Sequence, residues 1–326
     1  MIKLSNHLPT LPSILNGIDS VEKLMLSQSE NYHPDLSAAL SILLSSGGKR
    51  IRPRIILLLG SMFNAPKDTL ITLAASIELL HTATLVHDDL IDEALFRRGV
   101  PTLNSKWSPA ATVLTGDFVF ASAAYLASLT NSIEVMSLFS KTLMNIVNGE
   151  VNQLFSSRCN TSKEDYYRRI YAKTASLFET STHTAGIISQ IPRQQVELLR
   201  KFGYELGMAF QIVDDILDYR GDQSVIGKPV GGDLRQGLFT LPILCYMDTH
   251  PEDKNIINIL NNDCDYNENA IHQLVSDVAN STAIEESMGE ARLFCDRANQ
   301  CLMQLPDSPE RAELIQITAY IVDREL

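Results

Sequence analysis

Residues 85–92 read LVHDDLID and residues 211–218 read QIVDDILD, two acidic motifs set in the same apolar frame. Each motif lies in a longer stretch whose apolar residues recur every three or four positions, which is the period of a helix. Alternating strand patterns are nearly absent. The sequence therefore predicts an all-α protein, with helical stretches at residues 68–95, 109–130, 132–157, 163–189 and 193–221.

The chain has 326 residues, 45% of them hydrophobic, enough for one large core or two ordinary ones. Dense glycine and proline punctuation breaks it at residues 47–53, 98–101 and 221–237. No linker, fixed repeat or low-complexity segment divides it. We therefore expect one domain over residues 1–326.

The net charge is −12, and there is no basic block. Nucleic-acid binding depends on Lys and Arg at phosphates, so we expect no nucleic-acid partner. The five cysteines contain no Cys-x-x-Cys pair, which indicates neither a disulfide framework nor a zinc site. The first residues lack the apolar core of a signal peptide, and no uncharged run reaches membrane-span length. A reduced, cytoplasmic setting is the expectation.

The first aspartate cluster is Asp88, Asp89 and Asp92, and the second is Asp214, Asp215 and Asp218. Residues four apart share a helix face, so like charges there repel unless a cation lies between them. Carboxylate oxygens suit Mg²⁺, which usually bridges one or two carboxylates to substrate phosphates. A solvated acidic face is the plainer interpretation, but two copies inside apolar helices argue against it. A di-iron site needs two Glu-x-x-His pairs, and only Glu78 with His81 supplies one.

Several basic residues lie near the aspartate clusters or in short motifs of their own. In an acidic chain they indicate separate anion-binding contacts, because arginine and lysine both suit phosphate oxygens. Ordinary surface charge is the alternative, and it is weakest for the pair that follows the first aspartate cluster. These residues are Lys49, Arg50, Arg52, Arg97, Arg98, Lys173 and Lys228.

Taken together, these motifs resemble the trans-isoprenyl diphosphate synthase family, also called polyprenyl synthetases. The resemblance is clearest over residues 30–245. Its blocks are GGKRIRP, IELLHTATLVHDDLIDEALFRRGVPT, GDFVFASA, GEVNQL, YAKTASLF, GMAFQIVDDILDY and GKPVGGDLRQGLFTLP. The resemblance implies a single bundle of long helices around a central apolar cavity, usually in homodimers, with more than one Mg²⁺.

The resemblance also implies roles for individual residues. Asp88, Asp92 and Asp214 match the Mg²⁺ ligands, while Asp89, Asp215 and Asp218 support them; these six and Lys173 are the expected catalytic residues. Lys49, Arg52, His81 and Arg98 match the isopentenyl diphosphate site. Arg97, Lys173, Thr174, Gln211 and Lys228 match the allylic diphosphate site. Where many relatives carry a lysine, this chain has Leu238, so one phosphate contact is expected to be missing.

The implied reaction is Mg²⁺-dependent condensation of isopentenyl diphosphate with an allylic diphosphate. In this family, bulky side chains one turn before the first cluster limit product length. Here those residues are the small Ala83 and Thr84, with Leu80 one turn further away. This predicts a product longer than farnesyl, with a geranylgeranyl or farnesyl diphosphate synthase as the alternative. Phe118, Phe120 or Tyr125 could instead form the floor, or Ala83 and Thr84 could simply pack against a neighbouring helix.

Two other classes of protein remain open. A terpene cyclase shares one aspartate cluster but normally lacks the second, and it needs no isopentenyl diphosphate. A non-catalytic subunit of a heteromeric synthase typically loses aspartates or basic positions, and all are present here.

Overall fold

The computed structural model of the chain describes residues 10–45, 48–97, 99–155, 159, 161–220, 230–261 and 268–323. Almost all of the secondary structure in these ranges is helical, which confirms the all-α prediction. The helices are α1 Pro12–Ser27, α2 Pro34–Ser45, α3 Ile51–Met62, α4 Lys67–Ile91, α5 Pro109–Leu129, α6 Ile133–Phe155, α7 Lys163–Ile170, α8 Ser176–Ile188, α9 Arg193–Arg220, α10 Gly232–Arg235, α11 Leu241–Thr249, α12 Lys254–Asn261, α13 Glu268–Ala279, α14 Ala283–Leu302 and α15 Pro309–Val322.

Two short elements interrupt this helical order. A π-helix at Tyr171–Ala175 joins α7 to α8. The strands β1, Phe96–Arg97, and β2, Val100–Pro101, pair antiparallel just after the first aspartate cluster. The described residues of the break expected at 98–101 include β2, which pairs with the residues just before the break.

The described residues form two compact units. The first comprises residues up to 142 with 177–203 and 301–317, and the second comprises 143–176, 204–300 and those from 318 onward. Every boundary falls inside a helix and not in a linker. The single-domain expectation stays a prediction.

The core of the first unit is built around α4. This helix packs against α5, α3 and α1, and its side chains from Leu73 to Leu80 are all buried. Ser76 donates a 2.8 Å hydrogen bond to the Ala123 carbonyl of α5, so the two helices approach closely. Gly116 of α5 allows this, since a Cβ there would lie 2.2 Å from His87 Nε2.

Polar contacts attach the C-terminal helix of the first unit to α3. Arg54 Nε donates to Glu313 Oε1 of α15 at 2.7 Å, and both side chains are buried. The Leu11 backbone N–H donates to the other oxygen of Glu313 at 2.9 Å. These contacts hold α15, α3 and the start of α1 together.

Two of the described helices, α4 and α5, are long and apolar enough to cross a membrane by length and composition. Their most apolar windows are 67% and 39% buried in the protein, and core helices of soluble proteins pass the same test. The expectation of no membrane span stays a prediction.

The cysteine spacing did not indicate a disulfide, and the structure differs from this expectation at one cysteine. Cys159 is disulfide-bonded, whereas Cys245, Cys295 and Cys301 are free and buried. Pairing depends on the approach of two Cβ atoms in the folded chain, which spacing along the sequence does not reveal.

Candidate active site

The first aspartate cluster lies at the C-terminal end of α4. Asp88 is half-buried, Asp89 is buried and Asp92 is exposed, and the Asp92 N–H donates to the Asp88 carbonyl at 2.8 Å. A helix C-terminus carries partial negative charge, so three carboxylates there are unfavourable without a cation. The fold thus creates a local demand for positive charge where the sequence predicts a metal.

Arg97 supplies part of this positive charge. Its Nε donates to Asp89 Oδ1 at 2.8 Å, and the two side chains are 32% and 9% exposed. Arg97 is the last residue of β1, which follows the C-terminal end of α4 closely in the chain. Arg97, predicted to hold the allylic diphosphate, is therefore paired with a carboxylate here, while Arg98 lies outside the described residues.

The described residues predicted to bind isopentenyl diphosphate all belong to the first unit. Lys49 is exposed just before α3, and His81 is half-buried on α4. Arg52 is buried, with its guanidinium carbon 4.4 Å from the ring centroid of Phe178. This stacking contact gives Arg52 a fixed support on an aromatic face.

Arg50 has a different role from the anion contact expected of it. Its Nε lies 2.8 Å from Glu22 Oε1 and its Nη1 lies 3.2 Å from Glu78 Oε1. The motif GGKRIRP contains three basic residues, and only the fold shows that Arg50 faces carboxylates. Arg50 is an internal ion-pair partner in this structure.

The residues predicted to set product length differ in burial. Leu80 and Ala83 are completely buried, whereas Thr84 is half-buried and donates to the His81 carbonyl at 2.8 Å. At 3.6 residues per turn, Thr84 lies under Asp88 while Ala83 is rotated well away from it. The expectation that Ala83, Thr84 and Leu80 limit product length stays a prediction.

The aromatic residues considered as an alternative floor lie on α5. Phe118 packs edge-on against Tyr32 at a centroid distance of 5.0 Å, and Phe120 stacks on His87 at 6.3 Å. Tyr125 is 59% exposed, which does not suit a floor within a single chain. Phe118 and Phe120 remain the better candidates of the three.

The second aspartate cluster lies in the last turns of α9, and its middle member is enclosed by neutral donors. Tyr166 donates to Asp215 Oδ2 at 2.7 Å, and Gln211 Nε2 donates to Asp215 Oδ1 at 2.8 Å. Burial first, and then the Asp233 carboxylate, raises the pKa of Asp215 well above its usual range, against the effect of these hydrogen bonds. Asp214, by contrast, is half-buried.

Thr174 continues this network. Its hydroxyl donates to Gln211 Oε1 at 2.6 Å, which leaves the amide of Gln211 directed at Asp215. Two residues predicted to hold the allylic diphosphate are thus connected to the second cluster. The sequence analysis did not identify Tyr166 as a site residue. The one feature that could have indicated it is its position five residues before Tyr171, the first residue of the YAKTASLF motif.

Asp218 contacts the start of α10. Its two carboxylate oxygens accept from the Gly232 and Asp233 N–H groups, both at 3.1 Å, at the start of α10. Gly231 precedes them with a φ of 76°, a conformation that favours glycine. Asp218 therefore accepts hydrogen bonds from the first N–H groups of α10, while Lys228 lies outside the described residues and Leu238 is half-buried.

Lys173 lies in the π-helix Tyr171–Ala175 and pairs with a carboxylate of the second unit. Its Nζ is 2.8 Å from Glu150 Oε1, and the lysine side chain is 37% exposed. Gly149 permits the approach, since a Cβ there would lie 2.7 Å from that of Ala172. π-helical turns often occur at functional sites, which agrees with the predicted role of Lys173.

Among the residues that the structure describes, no group of three or more His, Cys, Asp or Glu side chains is already assembled to hold a metal ion. A Mg²⁺ site that takes one or two carboxylates and completes its shell with substrate phosphate and water needs no such group. In each cluster the first aspartate is accessible, and the second is already in contact with protein donors. The predicted ligands Asp88 and Asp214 are half-buried, and Asp92 is exposed.

Comparison with known proteins gives a consistent result. The polyprenyl synthetase family model matches residues 33–278. Heptaprenyl diphosphate synthase component 2 of Bacillus subtilis is 35% identical over 315 residues, covering 96% of this chain and 90% of the relative. Octaprenyl diphosphate synthase of Escherichia coli is 37% identical over 288 residues, covering 87% of this chain and 88% of the relative.

A solved structure extends the similarity to the fold. The polyprenyl synthase of Caulobacter crescentus, complexed with calcium and isoprenyl diphosphate, superposes with a TM-score of 0.90 at 30% identity. The match covers 96% of this chain and 96% of that one.

Proposed function

The chain belongs to the polyprenyl synthetase family and is a prenyltransferase, and from this premise we propose that it condenses isopentenyl diphosphate with an allylic diphosphate to build a trans-polyprenyl diphosphate. The observation that carries the proposal is the pair of aspartate clusters in apolar helices, in which Asp88 and Asp214 are half-buried and Asp92 is exposed.

Asp88, Asp92 and Asp214 are the proposed Mg²⁺ ligands. The half-buried state of Asp88 and Asp214 and the exposure of Asp92 support this assignment. Bound Mg²⁺ supplies Lewis-acid stabilisation of the negative charge that develops on a leaving diphosphate. Asp89 and Asp215 act by holding Arg97 and Gln211, and Asp218 acts by holding the N-terminal end of α10.

The basic and polar residues divide between two diphosphates in this proposal. Lys49, Arg52, His81 and Arg98 bind isopentenyl diphosphate, and Arg97, Lys173, Thr174, Gln211 and Lys228 bind the allylic substrate. The carbon–oxygen bond of the allylic diphosphate breaks and its electron pair leaves with the diphosphate. The double bond of isopentenyl diphosphate then forms the new carbon–carbon bond, and a proton passes to the released diphosphate. Oriented cations favour this separation of charge.

A medium- or long-chain product is proposed. The support is the small Thr84 under Asp88, together with relatives named for heptaprenyl and octaprenyl products. We further propose a homodimer that works in the cytoplasm.

The test is an incubation of the purified chain with labelled isopentenyl diphosphate and either geranyl or farnesyl diphosphate. We expect chain elongation that chelation stops and Mg²⁺ restores. Products from the allylic substrate alone would instead indicate a cyclase. One relative is named as a component, so inactivity of the chain alone, with activity on adding a partner subunit, would indicate a heteromeric enzyme.

A further inference from the structure

Arg50 occupies a backbone conformation that few arginines adopt. Its φ is 45°, in the left-handed region, and it is the N-cap of α3. Non-glycine residues are uncommon there and persist where the surrounding structure fixes them. The side chain provides that fixation, since only 10% of it is exposed.

The guanidinium of Arg50 donates hydrogen bonds to three helices of the first unit. Nε donates to Glu22 Oε1 of α1 at 2.8 Å, Nη1 to Glu78 Oε1 of α4 at 3.2 Å, and Nη2 to the Leu44 carbonyl of α2 at 2.7 Å. Burial lowers the pKa of Arg50, but the carboxylates of Glu78 and Glu22 outweigh it, so the pKa is raised. A planar fork with several donors makes such a three-way contact, and a lysine ammonium does not reproduce it.

Glu78 depends on this contact. Its side chain is 7% exposed, and its second oxygen, Oε2, has no hydrogen-bond partner among the described residues. Glu78 also lies three residues before His81, on the same face of α4. The Arg50–Glu78 pair therefore joins the start of α3 to the turn of α4 that carries His81.

We infer that Arg50 is a positioning residue for isopentenyl diphosphate. It lies between Lys49 and Arg52, and its ion pair with Glu78 fixes both relative to His81. The inference rests on the proposed function, which gives these three residues to one substrate. Arg50 itself contacts protein groups and not the diphosphate.

The test compares Arg50→Lys with Arg54→Lys. Each variant removes an arginine guanidinium from an ion pair at α3 or its N-cap. Arg50 pairs with Glu78 of α4, whereas Arg54 pairs with Glu313 of α15. We expect Arg50→Lys to raise the KM for isopentenyl diphosphate about tenfold or more, with the allylic KM changed less than about threefold. Arg54→Lys is expected to lower the thermal unfolding midpoint without this selective effect.

The double variant Arg50→Gln/Glu78→Gln controls for a folding defect in Arg50→Lys. It removes the buried Glu78 carboxylate together with its partner, so that no buried carboxylate is left unpaired. It should show the same selective loss. Equal changes in both KM values, no change in either, or the same selectivity in Arg54→Lys would overturn the inference.

Calorimetric titration with isopentenyl diphosphate separates this inference from the proposed function. If the wild-type chain neither binds nor condenses this substrate, the proposed function has failed. If the wild type binds it and Arg50→Lys binds equally well, only the positioning role has failed.

Discussion

The two aspartate clusters have the same letters and different surroundings. In the first, the middle aspartate, Asp89, is neutralised by the Arg97 guanidinium in a partly exposed pair. In the second, Asp215 is buried among the hydroxyl of Tyr166 and the amide of Gln211. Asp89 is therefore paired directly with a guanidinium, whereas Asp215 accepts hydrogen bonds from neutral donors. The positive charge of Arg169 also influences Asp215, without a direct ion pair between the two among the described residues. The repeated sequence does not imply a repeated electrostatic environment.

A second difference concerns the helix turn that precedes each cluster. Thr84 lies four residues before Asp88, whereas Phe210 lies four residues before Asp214. Residues four apart share a helix face, so a small side chain adjoins the first cluster and an aromatic ring adjoins the second. The proposed path of the substrate tail therefore follows α4.

The largest effect is expected at the first aspartate of each cluster, which is the predicted metal ligand that the two clusters have in common. Asp88→Ala and Asp214→Ala should each lower kcat about 100-fold or more, because each removes a ligand that acts on developing charge. Asp68→Ala, at an exposed carboxylate in the first turn of α4, is the control and should stay near wild type. Steady-state kinetics at saturating Mg²⁺ decides the point, and near-normal kcat in either cluster variant would refute its metal role.

The next effect separates the cations around the first cluster. Arg97→Ala should mainly raise the allylic KM, and Arg98→Ala mainly that of isopentenyl diphosphate. Each lost charge-assisted phosphate contact is worth roughly 1.5–3 kcal/mol, or about 10- to 150-fold. The measurement is KM for each substrate with the other saturating. If both variants shift the same substrate equally, the assignment of the two arginines to two substrates is wrong.

A substitution that makes α4 resemble α9 should shorten the product. Thr84→Phe places an aromatic ring under Asp88 and should stop growth near farnesyl or geranylgeranyl diphosphate. Ala83→Phe should also shorten the product, and because Ala83 is fully buried it should destabilise the fold by about 1–3 kcal/mol. Leu80→Phe, one turn further away, should stop growth at a longer product.

Chromatography of the dephosphorylated products measures these lengths, and urea unfolding measures the stability cost. An unchanged product spectrum in active Thr84→Phe and Ala83→Phe enzymes would mean that the tail does not follow α4. A shorter product from Leu80→Phe than from Ala83→Phe would reverse the expected geometry.

The smallest effect tests the electrostatic difference itself. Tyr166→Phe should lower the free energy of unfolding by about 1–3 kcal/mol, because a buried carboxyl oxygen loses its donor. Arg97→Gln should also lower the free energy of unfolding, and this decrease should be smaller in about 0.5 M salt because salt screens a partly exposed ion pair. The decrease caused by Tyr166→Phe should not depend on salt. Tyr32→Phe, at an exposed hydroxyl, serves as the control. Equal salt sensitivity of both losses would remove the distinction between the clusters.

The sequence by itself determined the helical class and the residues to examine. Helical periodicity is local and follows from 3.6 residues per turn, so LVHDDLID and QIVDDILD could be placed on helices from their spacing alone. The repeated Asp-Asp-x-x-Asp pattern and its basic neighbours indicated diphosphate chemistry, because few side chains suit Mg²⁺ and phosphate.

Only the tertiary structure decided what each charged side chain contacts. Arg50 and Arg52 are two residues apart, yet one enters an ion pair with Glu78 and the other stacks on Phe178. Tyr166 reaches Asp215 from 49 residues away. Such partners meet through helix packing, which depends on contacts distant in sequence. Local spacing therefore identifies the aspartates, and the fold decides which of them a protein group already holds.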